Sequence, residues 1–228
     1  MSEAQRSCLI LLLSLVLLLV LFPFLEAMAR PILLITVIAG VLLGGVVAVE
    51  AGRRHVRNAL LLTLVQIILA VSASLLDEGS LGFLVAVSVG LAAMAALIVY
   101  AIYCVLRYVL QARVITREQI YAGISVYLLL GFAFGAVYYL VNILNPDCIV
   151  VNSARLADTH PPDLMYFSFV TLATLGYGDI TPVAPIARSL AELEALSGTL
   201  YMAVLMARLV SLHRGRPGHH IPSRNDIS

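Results

Sequence analysis

Lysine and tryptophan are both absent from this 228-residue chain, and only 12% of its residues carry charge. All 14 basic residues are arginine, offset by 13 acidic ones, and no basic cluster is dense enough to hold a phosphate backbone, so nucleic acid is excluded as a partner. Cysteine is limited to Cys8, Cys104 and Cys148. The first two fall near one end of their apolar runs and the third in a loop at the opposite end, so three free thiols are expected rather than a bridge. No nucleophile constellation, metal cluster or phosphate loop is present, so neither enzyme activity nor a cofactor is expected. What the chain has instead is apolar surface. Hydrophobic residues make up 61% and mean hydropathy is +1.01, more than a water-soluble domain can hide.

A helix needs about 20 apolar residues to cross the hydrocarbon core. Six runs qualify, at approximately 8–25, 31–50, 59–76, 81–106, 119–141 and 186–210. A shorter stretch at about 163–174 cannot span and fits a re-entrant half-helix. The expected class is therefore an all-α membrane protein with six transmembrane helices plus a re-entrant helix. Arginine placement gives the orientation. With the amino terminus inside, cytoplasmic segments hold Arg6, Arg53, Arg54, Arg57, Arg107, Arg113, Arg117, Arg208, Arg214, Arg216 and Arg224, against Arg30, Arg155 and Arg188 outside. Both termini are expected in the cytoplasm and the host membrane is expected to be the cell's plasma membrane. The first run, followed by Ala27-Met28-Ala29, also resembles a cleavable signal peptide; an uncleaved span is the reading adopted. The organisation expected is a four-span unit (1–107), a polar linker (108–118), a two-span unit (119–212) and a short tail (213–228). His213, His219 and His220 in that tail read as solvated rather than metal-binding.

Between the last two spans lies Thr174-Leu175-Gly176-Tyr177-Gly178-Asp179, preceded by Tyr166-Phe167-Ser168-Phe169-Val170-Thr171-Leu172-Ala173 and followed by Ile180-Thr181-Pro182. Glycine on each side of one tyrosine lets the backbone adopt conformations that L-residues avoid. This region resembles the two-transmembrane pore domain of potassium channels: outer helix, pore helix, selectivity filter, inner helix. The resemblance covers about two-fifths of the chain. It implies a homotetramer in which each chain contributes one filter strand, with potassium bound at Thr174, Leu175, Gly176 and Tyr177, and Gly178 completing the filter. It also implies that Asp179 hydrogen-bonds behind the filter near its outer mouth. Position 170 is Val where some bacterial members carry a Glu that pairs with that aspartate, so Asp179 must bond elsewhere, with Tyr166 or a water as candidates. Without tryptophan, the aromatic cuff would rest on Tyr166 and Phe167. Leu175 replaces the commoner Val, which leaves the carbonyl in place.

Asp163, after Pro161-Pro162, is placed to complement the positive end of the pore-helix dipole. On the inner helix, Arg188, Glu192 and Glu194 are charges inside a span, which are costly unless paired or facing water. Glu192 and Glu194 differ by roughly 200° around a helix and cannot share a face. Arg188 and Glu192 are spaced to pair. Glu194 is then the candidate for bonding the back of the pore helix or filter; the alternative is that it is protonated or satisfied at a subunit interface. Gly198 is a candidate bending point, with close packing as the alternative. Met202, Leu205, Met206 and Leu209 are candidates for an apolar constriction.

No charged residue lies between Leu81 and Leu106, so the regular arginine ladder of a voltage sensor is missing and voltage sensing is not expected. The reading is a potassium-selective channel conducting passively, with potassium ions, membrane lipids and its own copies as partners. Rivals are a non-conducting or regulatory subunit, a weakly selective cation channel, and a filter-containing uptake protein; the last uses several filter loops per chain, and one is present here.

Overall fold

Backbone groups in hydrocarbon have no water to bond, so apolar runs of this length satisfy themselves as helices. The computed structural model describes residues 3–28, 38–41, 43–45, 53–77, 80–111, 116–146, 148–151, 154–155 and 161–214. Within these residues lie helices α1 (Glu3–Met28), α2 (Arg53–Ser74), α3 (Leu81–Gln111), α4 (Arg117–Leu144), α5 (Pro161–Leu172) and α6 (Pro185–Arg214). Five of them, all but α5, are long and apolar enough to cross a membrane. The chain is thus a multi-pass, all-α membrane protein. Most of the expected span at 31–50 lies outside the described residues, as do 112–115 in the linker and the tail beyond 214.

One small sheet was not anticipated. Strands β1 (Ile149–Val151), β2 (Ala154–Arg155) and β3 (Ile180–Pro182) pair antiparallel in the order β2-β1-β3. The β-branched run Ile149-Val150-Val151 is the sequence signal for it. Pro182 falls on the terminal strand β3, where a missing N–H is tolerated. The backbone N–H groups of Val183 and Ala184 then donate to the Cys148 carbonyl at 2.9 and 3.2 Å. The segment that leaves the Gly-Tyr-Gly turn is thereby fastened to the segment that leaves α4.

Helix α4 is the hub. Thr116 precedes it, and its backbone N–H donates to Gln119 Oε1 of the helix's own first turn at 2.8 Å. Cys8, Leu11, Leu15, Leu18 and Phe22 of α1 share one core cluster with Ala122, Val126, Leu129 and Phe132 of α4, Met165 of α5, and Leu97, Ile98 and Ala101 of α3. The amino-terminal and carboxy-terminal units therefore share a core. All three cysteines are buried and none is in a disulfide.

Candidate functional site

Helix α5 is short and ends at Leu172, two residues before the end of the stretch expected from sequence. Asp163 sits in its first turn. Ala173, Thr174 and Leu175 then fold back under the helix, their N–H groups donating to the carbonyls of Phe169 (3.0 Å), Thr171 (2.9 Å) and Val170 (2.9 Å). From there the chain rises through an irregular segment to β3.

That segment alternates in handedness. Thr174, Gly176 and Gly178 have φ of +56°, +60° and +79°, whereas Leu175 and Tyr177 do not enter the positive region. Thr174 is the single non-glycine among the described residues with positive φ. A β-branched side chain disfavours that conformation, and such outliers persist where function requires them. A β-strand sends successive carbonyls to opposite sides, whereas alternating right- and left-handed residues turn consecutive peptides the same way, amides to one side and carbonyls to the other. Ala173 through Gly178 are all exposed in the single chain.

Asp179 closes the segment. Tyr166 Oη donates to Asp179 Oδ2 at 2.9 Å, and Asp179 Oδ1 accepts from the N–H of Ile180 at 3.0 Å. The bond to Asp179 is the main cause that holds the Tyr166 phenol above its ordinary pKa, with desolvation adding to it. Tyr166 also stacks on Tyr177, with centroids 6.5 Å apart and planes 14° from parallel. Phe167 does not join this cuff. It is buried against Tyr138 of α4, edge-on at 4.9 Å, because its place on α5 faces the outer helix rather than the turn.

Glu194 carries the one buried acidic side chain among the described residues, with no exposed surface. Tyr138 Oη donates to its Oε2 at 2.8 Å, and Ser168 Oγ of the short helix lies 2.5 Å from its Oε1. Ser168 Oγ also lies 2.8 Å from the Gly131 carbonyl oxygen. The sequence reading reached Glu194 but missed Tyr138 and Ser168, which are unremarkable in an apolar run until the fold brings three helices together.

One expectation for α6 is corrected. Arg188 and Glu192 form no ion pair among the described residues; Arg188, in the first turn, instead donates from Nε to the Pro182 carbonyl at 3.2 Å. Of the constriction candidates, Leu205 packs on α4 where Gly123 leaves room, a Cβ there meeting Leu205 Cδ1 at 3.1 Å. Met202 and Met206 are exposed, and the Leu209 side chain lies outside the described residues. Gly198 packs closely: a Cβ would stand 2.5 Å from the Leu172 carbonyl oxygen. That carbonyl, at the end of α5, also accepts from Tyr127 Oη at 3.2 Å.

Gly131 and Gly135 were also missed, although their four-residue spacing within an apolar helix was available as a signal. A Cβ on Gly131 would meet Phe169 at 2.6 Å, and one on Gly135 would meet the Met165 sulfur at 2.7 Å. These two glycines let the short helix lie directly on α4.

Residues 126–214 match a family model described as "Ion channel". Among curated proteins, this chain is 37% identical over 95 residues to two-pore potassium channel 3 of Arabidopsis thaliana, covering 41% of this chain and 19% of that protein. It is 46% identical over 55 residues to the inward rectifier potassium channel Kirbac3.1 of Paramagnetospirillum magnetotacticum, covering 24% and 18% respectively. It is 34% identical over 87 residues to protein LctB of Bacillus caldotenax, covering 36% of this chain and 62% of that one. The chain thus matches only about a fifth of the length of the first two relatives. No solved structure matches it.

Proposed function

We propose that residues 126–214, which match the ion-channel family model and resemble potassium channels, are a pore domain, and that this chain forms a homotetrameric channel conducting potassium ions passively. Thr174, Leu175, Gly176 and Tyr177 supply stacked carbonyl rings that replace an ion's hydration shell, with Gly178 completing the turn. The observation that carries this reading is the alternating handedness of residues 174–178 in a segment exposed along its whole length. Irregular backbone facing lipid leaves polar groups unsatisfied, and it is tolerated at membrane depth only inside protein or beside water. Fourfold assembly around an axis meets both conditions. Asp179 and Tyr166 brace the outer end, and Gly198 serves as a point of close packing against the pore helix rather than as a hinge.

The orientation with both termini cytoplasmic, in the cell's plasma membrane, belongs to the same proposal and rests on the arginine asymmetry. The channel needs no cofactor; its ligand is the permeant ion, and lipid is its other contact. Purified protein in liposomes, assayed for potassium and sodium flux side by side, tests the function. Potassium flux that exceeds sodium flux at least tenfold, and that Gly176→Ala abolishes or renders unselective, is expected. Absence of flux would favour a non-conducting subunit, and equal fluxes a weakly selective cation channel.

A further inference from the structure

The hydrogens around Glu194 can be counted. Ser168 Oγ stands within hydrogen-bonding distance of two oxygens, the Gly131 carbonyl at 2.8 Å and Glu194 Oε1 at 2.5 Å. A serine hydroxyl has one proton to donate. If Glu194 were a carboxylate, that one proton would have to serve two acceptors, leaving the short contact without a hydrogen of its own. A carbonyl has no proton to contribute, and of the two partners only Glu194 is able to carry a second hydrogen.

We propose that Glu194 is a neutral carboxylic acid that donates from Oε1 to Ser168 Oγ and accepts at Oε2 from Tyr138. The chain of donation runs Tyr138 to Glu194 to Ser168 to the Gly131 carbonyl, and every hydroxyl in it has an acceptor. It joins α6, α5 and α4 at one buried point, making Glu194 a positioning residue for the pore helix. Charge considerations agree. The side chains facing Glu194 from α4 are Tyr138 and, at longer range, Tyr127, and from α5 the neutral Ser168. Arg188 on its own helix is turned to Pro182 and Glu192 is exposed. An ionised carboxylate here would be a buried charge with no counter-ion among the described residues, which a membrane interior penalises heavily. This inference deepens the proposed function but rests on it only for the effect on conduction.

Glutamine provides the test, because its amide presents an acceptor toward Tyr138 and a donor toward Ser168, as the neutral acid does. Infrared difference spectra of the purified full chain, wild type minus Glu194→Gln, should show the C=O stretch of one protonated carboxylic acid at neutral pH. Ser168→Ala should shift that band by removing its acceptor. Glu194→Gln should unfold within about 3 °C of wild type, whereas Glu194→Ala should lose about 10 °C. Neither readout depends on conduction, so failure here is distinguishable from failure of the channel reading. No carboxylic band, a band unmoved in Ser168→Ala, or Glu194→Gln as unstable as Glu194→Ala would each overturn the proposal.

Discussion

Two helices of the pore unit, similar in length, live in different surroundings. Along their apolar windows, 50% of α4 is buried within one chain, against 11% of α6. On α6 the buried and half-buried packing against the rest of the chain centres on one stripe, Ala187, Leu190, Ala191, Glu194, Gly198, Tyr201 and Leu205, spaced at the helical period. Leu193, Leu196, Leu200 and Val204 stand outside it, exposed. The outer helix has found its partners at home and can show its remaining surface to lipid. Helix α6 has not, and residues 173–178 are bare as well. Under the proposed tetramer those surfaces meet three other copies and the water-filled axis.

Substitutions sharpen this contrast, the strongest first. Gly198→Ala forces a methyl against the Leu172 backbone carbonyl, which no rotamer change relieves. We expect about 3 kcal/mol of destabilisation and loss of the assembled particle, read by thermal unfolding and size-exclusion chromatography. The same change at Gly131 meets a phenylalanine ring and at Gly123 only a leucine methyl, so the loss should decline in that order. If Gly123→Ala proved worse than Gly198→Ala, close approach would not be what these glycines provide.

Next in size is a paired test of exposed faces. Leu196→Ala with Leu200→Ala should shift the assembly toward smaller species, each truncation removing about 2 kcal/mol of packing. Ile120→Ala with Ile124→Ala, on the exposed side of α4, should leave it unchanged, because lipid replaces what the side chains lose. Native electrophoresis compares the two directly, and equal behaviour would break the contrast. The smallest effect expected is that of Tyr166→Phe, which removes one hydrogen bond to Asp179. It should reduce stability by about 1 kcal/mol and speed the decline of potassium current during sustained recording.

Much of this arrangement was legible in the sequence because hydrocarbon imposes simple rules. Run length located the five spans that lie among the described residues, and Gly-Tyr-Gly located a turn whose alternating φ the structure displays. The period of α6 already separated Glu192 from Glu194, and the bond from Tyr166 to Asp179 was among the options that residue types allowed. The remainder depends on what lies opposite, which a single chain's periodicity does not encode. Phe167 and Phe169 look alike in sequence; one packs on Tyr138 and the other fills the space left by Gly131. Arg188 had an acid four residues away and turned instead to a strand carbonyl, because the three-residue strands beside it were too short to read as elements.

The central claim is that the exposed stripe of α6 and the exposed filter segment are surfaces between copies. Native mass spectrometry of the purified, detergent-released particle tests it most directly. The account predicts a mass four times that of the 24.5 kDa chain. A particle of one, two or three chains that still passes potassium selectively would contradict it.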